Sequence, residues 1–237
     1  MSTFDVELVQ RLARRALVLA VKMIDDANHR DDEQEGDPKV GGHPAACASC
    51  VHILSTLRLV VANPQDTFAI KPHASPTDHA INFLLGLFRE PYGRRWLSLA
   101  ESQVAMRNLR HYSHKGEPVF QSYHAESDPD AFGYFPTGSV GIPPVVSMYT
   151  ALAYRYAEHH GHDVPKGAHH WSMMGDSEFR EGSLLEAMPE AAERELSNVT
   201  WIIDYNRQSL DGPRIPGERG LRGTDAGRMQ KTAEANG

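Results

Sequence analysis

Apolar residues recur at helical spacing from Val6 to Asp26: Val6, Leu8, Val9, Leu12, Ala16, Leu17, Leu19, Ala20, Met23 and Ile24. A stripe of this kind predicts an amphipathic helix with one face on a core. The polar stretch from Asn28 to Lys39 predicts an exposed loop. Gly41-Gly42 then leads into a second helix from about Pro44 to Leu57, with proline at a position suited to a first helical turn. The apolar run Thr67 to Ile70 predicts a short buried strand, and a helix follows from about Thr77 to Phe88. Residues 89 to 131 show no clean period and predict an irregular, loop-rich insertion with short helices.

Farther along, Tyr134 to Gly141 (YFPTGSVG) has turn chemistry and opens a long helix from about Pro143 to His160. His170 to Met174 predicts a strand that ends at Gly175-Asp176. A helix from about Gly182 to Leu196 comes next, with Pro189 kinking or splitting it. Val199 to Asp204 is the clearest strand. Strand, helix, strand in this order is a βαβ unit, which implies an α/β fold: a mostly parallel sheet with helices on both faces. Residues 1 to 237 are read as one domain.

The bulk composition narrows the function classes. The chain has 237 residues, 41% hydrophobic and 23% charged, as expected of a globular protein. A net charge of −7 argues against nucleic acid as a partner. No run approaches about 20 uninterrupted apolar residues, so no membrane span is expected, and the first fifteen residues do not form a secretory signal. These features point to a cytoplasmic protein. Cys47 and Cys50 have C-x-x-C spacing, but their small apolar context reads as two cysteines in a buried helix, and no second pair completes a zinc site. His52, His79, His159, His160, His169 and His170 are read as surface or structural residues. Arg214, Arg219 and Arg222 are read as a surface loop or as holding an anion.

The candidate chemistry lies at strand ends, where ligands bind in parallel sheets. Asp176 follows one strand; Asn206, thirty residues after it, and Gln208 follow the next. A carboxylate, a side-chain amide and a peptide carbonyl are the oxygen ligands Mg²⁺ accepts beside a diphosphate. Gly175 lets the backbone approach a phosphate.

Gly175-Asp176-Ser177 through Asp204-Tyr205-Asn206-Arg207-Gln208-Ser209-Leu210-Asp211-Gly212 resembles the signature of thiamine diphosphate enzymes of the transketolase superfamily, which begins Gly-Asp-Gly and ends in Asn. Its ending is similar to that of the homodimeric-type pyruvate dehydrogenase decarboxylating component and of transketolase. Glu181-Gly182 and Glu186-Ala187 resemble the transketolase form. Upstream, Gly41-Gly42-His43-Pro44, Lys71-Pro72-His73-Ala74-Ser75 and the loop Phe135 to Gly141 resemble three further segments, in the family's order. The resemblance spans about residues 6 to 230, and it implies the diphosphate-binding domain of that family.

It also implies thiamine diphosphate and Mg²⁺ as cofactors, with Asp176, Asn206 and the Gln208 carbonyl as metal ligands. Gly138, Ser139, Val140, Gly175, Asp176, Ser177, Glu178 and Asn206 would line the cofactor, and His43 and His73 would act at the reacting centre. Three positions depart from the pattern. Ser177 replaces a glycine, which would cost of order 1 kcal/mol if a positive φ were needed there. Lys71-Pro72 stands where a glycine usually precedes the histidine, and Asp204 stands where the pyruvate enzyme has Asn.

The family's catalytic glutamate lies on a second, pyrimidine-binding domain. The chain stops about thirty residues after Asn206, so that domain is expected on a second chain, in an α₂β₂ heterotetramer or as the rest of a longer protein. The expected activity is decarboxylation of a small 2-oxo acid with acyl transfer to a lipoyl domain. The alternatives are a split transketolase acting on sugar phosphates and a non-catalytic scaffold paralogue.

Overall fold

The computed structural model describes residues 5–33, 35–36, 40–90, 92, 95–111, 116–131, 135–209, 212–213 and 225–237. Seven α-helices and five strands are assigned among the described residues: α1 (Val6–Asn28), α2 (Pro44–Thr56), β1 (Thr67–Ile70), α3 (Ser75–Leu84), α4 (Leu99–Arg107), α5 (Ile142–His159), β2 (His170–Gly175), α6 (Gly182–Glu193), β3 (Val199–Asp204), β4 (Gln208–Ser209), β5 (Gly212–Pro213) and α7 (Asp225–Ala235). They form two compact units. The first comprises residues 1–62 and 72–138, the second residues 63–71 and 139–237.

The first unit is helical. Ala13, Ala16, Ala20, Met23, Ile24 and Ala27 form the buried face of α1, the stripe its spacing predicts. Four of these six are alanines, so α1 can lie close against α2 and α3, which it packs on. Asp5 caps α1 by accepting the Leu8 N–H at 2.9 Å. Helix α2 buries Cys47, Cys50, Val51 and Leu54, and the helical path continues to Val61 through a π-helical turn, Leu57–Val61. Pro44–Val61 is long and apolar enough to cross a membrane by length and composition alone, a property that core helices share. Its buried side chains here pack within the unit. Helix α3 begins two residues earlier and ends four earlier than expected, after a 3₁₀ turn at Pro72–Ala74. Helix α4 falls inside the irregular segment. Ser98 and Glu101 form a reciprocal capping box at its start.

The second unit is the α/β part. Strands β1, β2 and β3 form a parallel sheet in that order. The register pairs Ile70 with Met173 and Gly175 with Asp204, so the last residues of β2 and β3 lie side by side. Asp66 ties the lower edge together. Its carboxylate accepts the Asn63 N–H, the His169 N–H and the Trp171 indole N–H at 2.9–3.0 Å. Burial works against the charged form, but these bonds hold its pKa below the usual carboxylate value. Met174, Phe179, Leu184 and Met229 form an apolar cluster, with Val145, Met188, Trp201 and Ile203 packed around it. Met229 comes from α7, a helix the hydrophobic pattern does not announce. Pro189 does not split α6, which runs unbroken across it. The carbonyl that loses its partner belongs to Leu185, four residues earlier and 47% exposed, where water can satisfy it.

Candidate cofactor site

The oxygen donors expected to hold a metal lie in the second unit, just past adjacent strand ends. Asp176 follows β2 and is buried (1% exposed). Its N–H donates to the Asp204 carbonyl at 3.3 Å. Asn206 is held to the same residue: its N–H donates to the Asp204 carbonyl at 3.0 Å and its amide N–H to Asp204 Oδ2 at 3.5 Å. Asn206 Oδ1 accepts the Gln208 N–H at 3.0 Å, a local turn across Arg207, which takes a positive φ of 59°.

Ser177 has φ −71° and ψ −32°, ordinary right-handed backbone. Its replacement of a glycine therefore carries no left-handed strain. Its hydroxyl donates to the Gln208 carbonyl at 2.6 Å, which leaves that oxygen a second lone pair. The donor set consists of a carboxylate, an amide oxygen and a peptide carbonyl. All are hard oxygen ligands, which fits Mg²⁺.

Glu178, expected to line the cofactor, holds backbone with its side chain. Its buried carboxylate accepts the Gly175 N–H through Oε1 and the Gly141 N–H through Oε2, both at 3.0 Å. It thus joins the turn after β2 to the turn before α5, and its side chain holds backbone in place. Burial pushes its pKa up, against these two bonds and the nearby Lys71 charge. Gly141, at φ 80°, starts α5. A Cβ there would meet Glu181 Cγ at 2.6 Å, so both the angle and the space call for glycine. Ser139 and Val140 form the turn immediately before it, and Gly138 closes the first unit.

The two candidate histidines come together in the first unit. Their ring centroids are 4.1 Å apart, tilted by 40°. They line a cleft of about 310 Å³ with Gly41, Gly42, Ser75, Arg110 and Tyr123. His43 stands at the start of α2. The chain before it is held by Asn28, whose side chain both accepts the Gly41 N–H (2.8 Å) and donates to the Gly41 carbonyl (2.9 Å). Arg110 donates to the Val40 carbonyl, and Arg30 in turn fixes the Leu109 and Arg110 carbonyls. Gly42 takes φ 137°, and a Cβ there would lie 2.6 Å from Ile24 Cγ2. His73 sits in the 3₁₀ turn, and its carbonyl accepts the Cys47 thiol at 3.8 Å. Both cysteines are buried, and Cys47 lies against the cleft residue His73.

Sequence reasoning passed over Arg110 and Tyr123, which lie in the segment without a period. It also read His79 without its partners. His79 is buried, with Nδ1 2.8 Å from Asp130 Oδ2, which also accepts from Asn82. Ligand-type atoms of His79, Asp128 and Asp130 lie within 4.8 Å of one another. Both carboxylates are engaged by protein donors, Asp128 by the Gln121 and Ala125 N–H groups. Next to them, Asp78 receives two bonds from Arg58, at 3.0 and 2.8 Å, with His124 at 3.3 Å. Burial opposes the charge on Asp78, yet Arg58 and His124 hold its carboxyl well below the usual range. Tyr134, Leu210, Asp211, Arg214, Arg219 and Arg222 lie outside the described residues.

No protein-family model matches the chain. Over 184 residues, 75% of its length, it is 32% identical to the pyruvate dehydrogenase E1 component of Pseudomonas aeruginosa and covers 19% of that protein. It is 30% identical over 148 residues to the E1 component of Corynebacterium glutamicum, covering 62% of this chain and 15% of that one. With the Escherichia coli E1 component the identity is 31% over 122 residues, 52% of this chain and 14% of that protein. The chain thus spans less than a fifth of the curated relatives it matches. Among solved structures, transketolase from Leishmania mexicana superposes with a TM-score of 0.66 at 16% identity, over 95% of this chain and 31% of that one. At that identity the likeness concerns the fold.

Proposed function

We propose that this chain, a relative of the N-terminal, diphosphate-binding part of the thiamine diphosphate-dependent transketolase superfamily, is one subunit of a split enzyme acting on a 2-oxo acid. The observation that carries the reading is the placement of Asp176, Asn206 and Gln208 past the ends of neighbouring parallel strands, in the register that sets Gly175 beside Asp204. The identity to pyruvate dehydrogenase E1 components supports a 2-oxo acid as substrate.

In this reading Asp176, Asn206 and the Gln208 carbonyl would hold Mg²⁺, which would neutralise charge on the diphosphate. Ser139, Val140, Gly175 and Ser177 offer backbone near it, and Glu178 keeps the two turns in place. Thiamine diphosphate supplies an electron sink for cleaving the bond next to the keto carbon. His43 and His73 would donate a hydrogen bond to the keto oxygen of the substrate or move a proton there. The pyrimidine-binding side and its glutamate belong to a second chain, in an α₂β₂ assembly located in the cytoplasm, and the acyl group passes to a lipoyl domain. A split transketolase is the second reading, favoured by His43-Pro44 and Glu181-Gly182.

Calorimetry with thiamine diphosphate and Mg²⁺ tests the proposal, on the chain alone and on the chain co-expressed with the product of the neighbouring reading frame. Binding that needs the partner and is lost in Asp176→Ala is the expected result. No binding in either state would favour the scaffold paralogue. A sugar-phosphate assay beside a 2-oxo-acid decarboxylation assay then separates the two enzyme readings.

A further inference from the structure

Lys71 departs from the family pattern, and the site described above leaves it without a role. It follows β1 directly, and its N–H donates to the Met173 carbonyl at 2.8 Å, which extends the β1–β2 ladder by one residue. Its side chain is buried (2% exposed) and its ammonium donates to Asp204 Oδ2 at 2.5 Å. Asp204 ends β3, and β2 lies between the two strands. The lysine therefore spans the carboxyl end of the whole sheet, where β2 ends in Gly175, a residue without a side chain to obstruct it.

Both side-chain candidates for the metal depend on Asp204. Its carbonyl accepts the N–H groups of Asp176 and Asn206, and its carboxylate accepts the Asn206 amide. With that amide nitrogen turned to Asp204, Asn206 Oδ1 accepts the Gln208 N–H at 3.0 Å. Burying two charges is expensive, and an apolar pair in their place is often no less stable. A charged pair at this spot is better explained by positioning than by stability.

We infer that Lys71 is a positioning residue for a divalent-cation site: it fixes Asp204, and through Asp204 it sets Asn206 and Asp176 as oxygen donors. This inference rests on the reading of Asp176 and Asn206 as metal ligands.

The test uses Mn²⁺ as the probe, with thiamine diphosphate present and its binding followed by electron paramagnetic resonance, on the full chain with its partner where one co-purifies. Thermal unfolding is recorded in parallel without ligand. Two double variants decide the matter. Lys71→Gln with Asp204→Asn keeps a hydrogen-bonded pair without charge, while Lys71→Met with Asp204→Leu keeps the packing and deletes the link. Loss of an outer partner of a metal ligand typically weakens binding roughly 10- to 100-fold. The apolar pair is expected to lose that much Mn²⁺ affinity with its melting temperature retained, and the amide pair to stay near wild type. Equal Mn²⁺ affinity in both variants and wild type overturns the inference and leaves the pair purely structural. Absence of Mn²⁺ binding in the wild type overturns instead the metal-ligand reading beneath it.

Discussion

The joint made by Glu178 allows a quantitative prediction. Its carboxylate is buried and accepts two backbone N–H groups, from Gly141 and Gly175, each at 3.0 Å. Glu178→Ala removes both acceptors at once. A buried donor left without a partner costs about 1–3 kcal/mol, so two should cost roughly 2–6 kcal/mol by the same rule. Glu178→Gln keeps one acceptor oxygen and turns an amide nitrogen toward the other N–H, so it should lose about half as much. At about 2–4 °C per kcal/mol for a domain of this size, Glu178→Ala melts several degrees lower than Glu178→Gln, and both melt below wild type. Urea denaturation followed by fluorescence reports on the right unit, because Trp171 and Trp201 lie on β2 and β3. Amide exchange supplies the local check: the Gly141 and Gly175 N–H groups, protected in the wild type, should exchange fastest in Glu178→Ala. Equal losses in the two variants would refute the reasoning, since the argument counts accepted bonds. So would an unchanged midpoint in Glu178→Ala.

Two further predictions concern buried charge. Arg58→Met strips the buried Asp78 of its bidentate partner and should destabilise the chain by about 3–5 kcal/mol in urea titrations, with much of the loss recovered in Arg58→Met/Asp78→Asn; a single variant as stable as wild type would contradict this. His170 is fully buried, its Nδ1 2.7 Å from the Thr67 hydroxyl and its ring against Tyr154. Burial, helped by His169, lowers its pKa from 6.5 to about 4. Because the folded form binds the proton less well than the unfolded form, the contribution is complete above pH 6.5 and is lost as pH falls from there toward 4, in all about 3 kcal/mol. His170→Gln should flatten the stability–pH slope across that window, and an unaltered slope would count against the assignment.

The elements that were legible in the sequence are those whose signal is local. The α1 stripe, the apolar strands β1 and β3 and the proline-marked starts of α2 and α5 all emerged close to where their periodicity set them. Helix α4 was missed as a named element although Ser98 and Glu101 spell its cap, because nine residues with only Ser102, Ala105 and Met106 buried show little period. Pro189 misled in the other direction, since its missing N–H faces a carbonyl that solvent can satisfy. For the site, the motif residues Asp176, Asn206, His43 and His73 were visible from residue type and order. Glu178 was legible as a residue of the same motif, but its two bonds to the Gly141 and Gly175 N–H groups were not, since Gly141 lies 37 positions away.

Short-range decisions can be read from residue order alone: where helices start and stop, which strands are apolar, and that oxygen donors follow two strands thirty residues apart. Which distant groups meet depends on the folded packing. It brought the rings of His43 and His73 to 4.1 Å, set Glu178 between Gly141 and Gly175, buried His79 against Asp130, and led Lys71 to Asp204 across 133 positions of chain. The physical reason is that a periodicity reports only the face a residue takes on its own element. A buried polar contact depends on how whole elements pack, and its partner is chosen by the cost of leaving a charge or an N–H unsatisfied inside.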